Sequence, residues 1–339
     1  MNWAGGTLID PTASPSDSAT ALEIVNNWRS SHSFPLNTFQ VTLRKKSREA
    51  DARNPLIAQR IKRRSSIEAK LRRYSGMELS RMQDIGGCRS VVGSVAAVDA
   101  LVGLYESSRI RAELVRRYDY LRVNPGPKSS GYRGEHLVYR YASSHKPEYE
   151  GLQIEIQIRT QLQHAWATAV ETVGTFVGQA LKSSQGEEKW LRFFALMGSE
   201  LAFEEGTPPV PGTYGSRGEV RDEVRSLEAE LGVISRLQQY RTALKTVREN
   251  AAHFAGSQFF LLELDAGNST LTITGYPRSA LDQAVADYER AEQQVAGRAE
   301  RDAVLVSVES IGTLQRAFPN YFADTTRFLN LVRTAVQSS

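Results

Sequence analysis

Residues 152–160 read LQIEIQIRT, and apolar and polar side chains alternate along this stretch without a break. One side carries Leu152, Ile154, Ile156 and Ile158, and the other carries Gln153, Glu155, Gln157 and Arg159. A period of two is typical of a β-strand that buries one face in a core. The pattern alone leaves open whether Glu155 is solvated or belongs to a functional site.

The composition is that of a globular protein of about two domains. The chain has 339 residues, of which 41% are hydrophobic and 24% charged, and no apolar run approaches the roughly 18 residues of a membrane span. The N-terminal region lacks the basic and apolar segments of a signal peptide, so we expect a cytoplasmic protein without a membrane partner. Cys88 is the single cysteine, which excludes an internal disulfide, and its apolar neighbours predict a buried thiol.

The positive charge is concentrated near the N-terminal end. Residues 44–73 contain twelve Lys or Arg against three acids, although the net charge of the whole chain is only +4. Such a cluster is typical either of a solvated helix face or of a surface that binds an anion such as a nucleotide phosphate or a nucleic acid.

Changes in composition divide the chain into five predicted segments. These are a loose tail over 1–20, a folded domain over 21–205, a linker over 206–218, a helical segment over 219–250 and a small α+β domain over 256–339. The linker reads GTPPVPGTYGSRG, and its Gly and Pro residues disfavour regular structure. The final segment reads as a β-hairpin, a helix, a strand and a helix, with no obvious catalytic constellation.

Strands and helices interleave irregularly within the folded domain. The stretches IGGCRSVVG, LVRRYDYLRV, EHLVYRYA and LQIEIQIRT read as strands, and AAVDALVGLYESS reads as a helix. Residues 55–73 carry apolar side chains at helix-like spacing and predict a helix that the pair Ser65–Ser66 interrupts. The order favours an α+β fold with a mixed β-sheet flanked by helices.

One set of residues has the chemistry that pyrophosphoryl transfer requires. That reaction needs cations along a polyphosphate, a carboxylate for Mg²⁺, a carboxylate that can take a proton and an aromatic surface for a base. The chain offers Arg60, Lys62 and Lys70, then Asp84, Glu155 and Tyr132. The sequence has no P-loop, GxGxxG or HExxH motif, and its five histidines lack metal-ligand spacing.

Four stretches in order resemble the signatures of the RelA/SpoT synthetase family, the enzymes that make (p)ppGpp. They are RIKRRSSIEAKL at 60–71, DIGGCR at 84–89, PKSSGYRGEH at 127–136 and IEIQIRT at 154–160. The resemblance covers roughly residues 40–200. It implies a mixed sheet flanked by helices, similar to that of nucleotidyltransferases, and a reaction that moves the β,γ-pyrophosphate of ATP to the 3′-hydroxyl of GDP or GTP.

The resemblance also implies roles for single residues. Arg60 and Arg89 would sandwich the adenine of ATP, and Lys62 and Lys70 would hold its phosphates. Asp84 and Glu155 would be the catalytic and metal residues, Asp84 as a Mg²⁺ ligand and Glu155 as the base for the 3′-hydroxyl that also contacts Mg²⁺. On the acceptor side, Tyr132 would stack on guanine, with Lys128 and His136 close by.

The chain departs from the family pattern on the acceptor side. Tyr118 stands where a phosphate-binding lysine is expected. Gly134 replaces the usual serine after GYR, and Glu135 follows it with a negative charge. Arg116, Arg117 and Arg122 are candidate substitutes for the missing cation.

These departures leave three functions open. The first is a (p)ppGpp synthetase without a hydrolase. The second is a toxin-type relative that modifies the 3′ end of tRNA or adenine nucleotides, and the third is a degenerate synthetase that senses nucleotides. The sequence leaves the oligomeric state open, a homo-oligomer included.

Overall fold

The computed structural model describes residues 1–53, 55–108, 110–122, 125–143, 145–177, 187–249, 254, 256–295, 298, 301–308 and 311–337. Within these ranges the chain forms helices around one mixed β-sheet, as the sequence predicts. A search of the same ranges finds no helix with the length and apolar character needed to cross a membrane.

The sheet has nine strands in the described residues, in the order β3-β4-β5-β2-β1-β9-β7-β8-β6. Their bounds are β1 Leu56–Ile61, β2 Gly86–Val92, β3 Ala112–Asp119, β4 Glu135–Tyr141, β5 Gln153–Thr160, β6 Lys245–Glu249, β7 Ser257–Asp265, β8 Thr270–Pro277 and β9 Arg301–Ser307. Strands β2 and β5 run parallel, as do β6 and β8, and the other neighbours run antiparallel.

Twelve α-helices lie in the described ranges. They are α1 Asn2–Ile9, α2 Pro15–Ser31, α3 Ser33–Ala50, α4 Arg64–Arg73, α5 Val95–Glu106, α6 Gln161–Val177, α7 Glu188–Glu204, α8 Arg217–Leu231, α9 Val233–Ala243, α10 Leu281–Val295, α11 Ile311–Ala317 and α12 Thr326–Gln337. The four strand stretches read from the sequence correspond to β2, β3, β4 and β5, and the helix AAVDALVGLYESS corresponds to α5.

Strand β5 has the two faces that its sequence predicts. Ile154, Ile156 and Ile158 are fully buried in a core with Cys88. Helices α3 and α5 cover this face, and α5 begins at Ser94, whose hydroxyl accepts a hydrogen bond from the amide of Ala97. Cys88 is therefore a packed thiol inside the core, as expected.

Two expectations about the N-terminal region were wrong. The predicted loose tail over 1–20 is helical over Asn2–Ile9 and again from Pro15, where Ser14 caps the helix through the amide of Asp17 at 3.1 Å. Residues 55–73 are not one helix, because Leu56–Ile61 is a strand between β2 and β9 and only Arg64–Arg73 is helical. Tertiary pairing overrides the local helical spacing there.

The chain after the predicted linker contributes four of the described strands to the same sheet. Strands β7 and β8 form the predicted hairpin, and β9 joins the rest of the sheet through Gln59↔Ser307 and Arg60↔Val306 of β1. The predicted helical segment 219–250 contains α9 only as far as Ala243, and residues 245–249 form β6. Strands from before and after the predicted linker 206–218 thus belong to one sheet. The division into domains stays a prediction.

Candidate active site

Glu155 lies on the polar face of β5 and is held by two side chains. Its Oε1 accepts a hydrogen bond from Nδ1 of His136 on β4 at 2.8 Å, and its Oε2 accepts one from Nε2 of Gln157 at 2.6 Å. The carboxylate is 12% exposed. Burial would raise the pKa of Glu155, but the attraction of His136 and its hydrogen bond outweigh burial and lower it. Glu155 is therefore ionised at neutral pH and able to accept a proton.

A second hydrogen bond extends this pair towards the acceptor motif. The hydroxyl of Tyr132 lies 2.6 Å from Nε2 of His136. Because the carboxylate of Glu155 can only accept, Nδ1 of His136 carries a proton, and in the neutral imidazole Nε2 accepts from the tyrosine hydroxyl. Burial raises the pKa of Tyr132, so its hydroxyl keeps its proton and can donate.

Asp84 lies between the two predicted phosphate-binding lysines. It immediately precedes β2, Lys62 follows β1, and Lys70 lies on α4. Asp84 accepts from Lys62 Nζ at 2.6 Å and from Lys70 Nζ at 3.0 Å. Burial would raise the pKa of Asp84, and the two ammonium groups hold it well below its usual range. Two cations and an ionised carboxylate therefore meet at one end of the site.

The two predicted adenine-binding arginines lie on adjacent strands and line one pocket. Arg60 on β1 and Arg89 on β2 border a pocket of about 340 Å³, counting the part open to solvent, together with Asp84, Glu155 and Gln157. The side chain of Arg60 makes no hydrogen bond or ion pair with another described residue, so its guanidinium is available to a ligand. The register places Arg60, Gly87 and Glu155 in one row across the sheet, which brings the two predicted substrate sides together.

Arg89 is also held from the C-terminal segment. Its Nη1 donates to the carbonyl of Ala317 at 3.3 Å, and its guanidinium carbon lies 5.4 Å from the centre of the Phe318 ring. Burial, with the nearby positive charges of Arg159 and Arg60, places the pKa of Arg89 well below its ordinary value. No local pattern predicts this contact, because residues 317–318 lie 228 positions or more from Arg89 in the chain.

The acceptor side is an aromatic cluster with one central cation. The ammonium of Lys128 lies 4.4 Å from the ring centre of Tyr120 and 5.1 Å from that of Tyr132. The ring of Tyr120 stacks on Tyr118 and meets His136 edge-on. Sequence reasoning missed Tyr120, although the alternation Tyr118–Tyr120 beside the acceptor motif is a usable signal.

The candidate substitutes for the missing acceptor-side lysine are engaged with other side chains. Arg117 forms ion pairs with Glu135 at 3.0 Å and Glu106 at 2.8 Å, and both terminal nitrogens of Arg122 bind the carboxylate of Asp99. Nη1 of Arg116 lies 3.4 Å from the Tyr118 hydroxyl. Glu135, which is fully buried, thus serves to hold Arg117.

Two buried basic side chains below the pocket, Arg159 and His164, have no role predicted from the sequence. Arg159 of β5 donates to Nδ1 of His164, whose Nε2 donates to the carbonyl of Arg316 at 3.1 Å. Burial and the charges of Arg159 and Arg89 keep the pKa of His164 well below its ordinary value. His164 is therefore a neutral packing residue that connects α6 to the C-terminal segment.

The predicted site residues thus form one connected group. Arg60, Asp84, Arg89 and Glu155 line the pocket, Lys62 and Lys70 bind Asp84, and His136, Tyr132 and Lys128 connect to Glu155 in turn. The described residues contain no group of three or more His, Cys, Asp or Glu side chains that could hold a metal. Two ionised carboxylates on one pocket suit Mg²⁺, which commonly binds one or two carboxylates plus substrate phosphates.

Comparison with known proteins identifies the core of this site. Residues 59–173 match the family model described as "Region found in RelA / SpoT proteins". Uncharacterized proteins of Mycobacterium tuberculosis and Mycobacterium bovis are each 29% identical over 157 residues, which are 44% of this chain and 50% of the relative. The match thus spans half the length of these curated relatives.

Two solved structures are similar over about half of the chain. A GTP pyrophosphokinase family protein from Streptococcus pneumoniae is 23% identical, with a TM-score of 0.43, and the match covers 53% of this chain and 90% of that one. The small alarmone synthetase 1 from Bacillus subtilis, bound to its product pppGpp, is 24% identical, with the same TM-score of 0.43 and coverage of 53% and 95%. These TM-scores are too low for the likeness to carry weight.

The site is thus a pocket with two ionised carboxylates, and it lies in the part of the chain that matches the RelA/SpoT region. The chain carries a RelA/SpoT region over residues 59–173, and the recognition made from the four sequence motifs is confirmed there.

Proposed function

We propose that the chain is an ATP-dependent pyrophosphotransferase that makes (p)ppGpp from GDP or GTP. The RelA/SpoT match supports transfer chemistry of this type. The observation that carries the proposal is the order of groups across the pocket, which runs from Arg60 and Arg89 through Asp84 to Glu155 and then Tyr132. Cations, carboxylates and an aromatic surface follow each other as a donor and an acceptor nucleotide require.

In this proposal the two arginines hold the adenine of ATP, and Lys62 and Lys70 hold its phosphates. The acceptor's 3′ oxygen attacks the β-phosphorus of ATP, the bond to the oxygen that bridges the α- and β-phosphates breaks, and AMP leaves. Glu155 accepts the proton of the 3′-hydroxyl. His136 orients Glu155 and offsets its buried charge. Asp84 and Glu155 would hold Mg²⁺, which supplies neutralisation of phosphate charge when bound.

The ionised carboxylate of Glu155 is better suited to orient the substrate's 3′-hydroxyl than to act as a strong base. Its lowered pKa keeps it ionised, so it is ready to accept a hydrogen bond from a hydroxyl in the bound substrate. A carboxylate with a lowered pKa is a weak base, and proton transfer to it becomes favourable only as the new bond to phosphorus forms. We therefore expect Glu155 to act late in the step, with His136 as its positioning partner.

A second acceptor is favoured by the few cations that the described residues leave without an ion pair on the acceptor side. Arg117 and Arg122 are ion-paired within the chain, whereas Lys128 lies over the rings of Tyr120 and Tyr132 and Arg116 lies over the ring of Tyr118. Such a site suits an acceptor with fewer phosphates near its ribose than GTP has, such as the 3′-terminal adenosine of tRNA. The second candidate function is therefore pyrophosphorylation of that end, or of an adenine nucleotide.

A transfer assay tests both functions. The full chain is incubated with γ-labelled ATP and Mg²⁺, with GDP, GTP, ATP or deacylated tRNA offered separately. Label in a guanosine product supports the first function, and label in tRNA or an adenine product alone replaces it with the second. If no acceptor is labelled while the chain still binds ATP, both functions are wrong and a nucleotide sensor takes their place.

A further inference from the structure

A second cleft lies on the opposite face of the sheet from Glu155. It encloses about 650 Å³, counting the part open to solvent, and is bordered by α2, α3, β1, β7, β9 and α10. The side chain of Gln59 marks its floor, and the register aligns Gln59 with Cys88 and Ile156 in the covered core. The cleft therefore lies at the junction of the N-terminal helices and the C-terminal segment.

The buried amide of Gln59 has one end without a partner. Its Nε2 donates to Oδ1 of Asn37 on α3 at 2.7 Å, which places the amide at the cleft, whereas its Oε1 is buried without a hydrogen bond. Gln59 is only 6% exposed. If the amide is rotated by half a turn, Nε2 is left unpaired instead. A buried amide end without a partner is costly, so in either orientation a ligand group that reached the Gln59 amide from the cleft would supply a missing hydrogen bond.

The charges around the cleft do not suit an anion. Arg29 borders it, but all five of its N–H groups are engaged, with Lys62 carbonyl, Asn26, Tyr288 and Glu292. The side chain of Arg60 belongs to the other face, because Arg60 pairs in register with Gly87 in the row of Glu155. Glu289 adds a carboxylate to the rim. A phosphate placed here would meet a negative charge and no available cation.

The C-terminal segment gives the cleft an apolar wall. Phe259 of β7, Leu305 of β9 and Val285 of α10 face the cleft, and all three are partly exposed. An apolar wall opposite an amide suits a flat ligand with one polar edge. A donor beside an acceptor on that edge would satisfy the Gln59 amide in either orientation, as a nucleobase edge does.

We infer that this cleft is a second ligand site, distinct from the catalytic pocket, for an uncharged planar heterocycle such as a nucleoside. It binds the heterocycle between the Gln59 amide and the apolar wall of Phe259, Leu305 and Val285. It excludes the phosphorylated form of the same ligand. The bound heterocycle bridges α3 and α10, so it also stabilises the junction between the two parts of the chain.

Ligand-observed NMR on the full chain, with adenosine and guanosine against AMP and GMP, tests the inference. We expect at least one nucleoside to bind and to raise the melting temperature. Val285→Trp, which fills the cleft from α10 without reaching the catalytic pocket, should abolish the part of that binding, and of the rise in melting temperature, that belongs to the cleft. Ala286→Trp, at the exposed neighbouring position, is the matched control and should leave it unchanged.

Gln59→Leu separates recognition by the amide from simple apolar binding. Binding should weaken about tenfold, the effect of losing one ligand hydrogen bond, whereas Gln238→Leu on the exposed face of α9 should have no effect. Because the catalytic pocket is itself proposed to bind purines, the decisive quantity is the binding that Val285→Trp removes. If Val285→Trp removes none of it, if it removes the same amount for the nucleotides, or if neither nucleoside binds, the inference is overturned. None of these readouts depends on pyrophosphate transfer, so the proposed function stands or fails separately.

Discussion

One face of the sheet serves two different purposes along its width. Over β1, β2 and β5 it carries the charged side chains of Arg60, Arg89 and Glu155 and leaves a pocket open. Over β7, β8 and β9 the same face is apolar and closed, with Phe260 and Val306 buried under α11 and a 3₁₀ turn at Pro319–Phe322. Charged side chains stay accessible only where no helix packs on the sheet, so the packing of helices on this face decides where the site lies.

The boundary between these halves is at Arg60. Its register partner on one side is Gly87, in the catalytic row, and on the other side is Val306, in the apolar cluster. Arg89 is similarly placed, because it lines the pocket and also stacks against Phe318 of the closed half. The closed half therefore contributes to the shape of the open one.

The largest expected effect comes from a substitution that removes the proposed catalytic carboxylate from the open half. Glu155→Gln keeps the shape of the side chain but loses the carboxylate, and transfer should fall by about 10²–10⁴-fold, the usual contribution of a positioned acid or base. ATP affinity should change little. Turnover in the labelled-ATP assay and ATP binding by calorimetry measure the two quantities. Glu113→Gln on β3, an exposed ion-paired position, is the control. Undiminished turnover in Glu155→Gln would remove Glu155 from the mechanism.

The second expected effect, on the free energy of unfolding, shows whether the two halves unfold together. Phe260→Ala opens a cavity in the closed half and should lower the free energy of unfolding by about 3–5 kcal/mol. The four tryptophans, Trp3, Trp28, Trp166 and Trp190, all lie before the predicted linker. If the continuous sheet makes folding cooperative, the midpoint of denaturation followed by tryptophan fluorescence should shift to a lower denaturant concentration in this variant.

Phe34→Ala, where the ring is 40% exposed, provides the control for loss of an aromatic ring. A tryptophan transition that stays in place in Phe260→Ala would instead indicate two independent folding units, as the domain prediction from the sequence has it.

Acid should destabilise, through His32, the helices that pack behind the open half of the sheet. This side chain lies at the junction of α2 and α3, donates from Nδ1 to the carbonyl of Trp28 at 2.7 Å, and is 1% exposed. Burial lowers the pKa of His32 from 6.5 to about 4. The unfolded chain therefore takes up a proton that the folded chain excludes between these values, and the free energy of unfolding falls by about 1.4 kcal/mol for each pH unit across that window.

Denaturant unfolding at several pH values between 7 and about 4.5 measures this slope. His164, which is also buried with a lowered pKa, contributes a slope of its own. In His32→Gln the total slope should therefore decrease without vanishing, and an unchanged slope would show that His32 does not carry the effect.

The smallest expected effect lies where the two halves meet. Phe318→Leu keeps an apolar side chain but loses the ring face under Arg89, a contact worth about 0.5–1 kcal/mol. If Arg89 binds adenine, the dissociation constant of ATP should rise about two- to fivefold. Phe318→Tyr should restore it, and Phe322→Leu, in the same 3₁₀ turn, should leave it unchanged. Tighter ATP binding in Phe318→Leu would mean that Phe318 blocks the site instead of positioning Arg89.

Much of the open half was predictable from the sequence. The alternation at 152–160 places Glu155 opposite Ile154 and Ile156, and the structure has that arrangement. The four motifs predict the side chains that converge on the pocket, because each motif lies at a strand end or on the adjoining helix. The helix prediction over 55–73 failed because β1 is stabilised by pairing with β2 and β9, which residue spacing within the segment does not report.

The sequence by itself determined the family of residues 59–173 and the polar face on which the site lies, because short-range alternation and motif order encode both. Only the tertiary structure decided that β9 pairs with β1, that Phe318 stacks on Arg89 and that Gln59 faces a second cleft. Those contacts join residues more than 200 positions apart in the chain. Their formation depends on the burial and hydrogen bonding of the whole sheet, and no local pattern in the sequence carries that information.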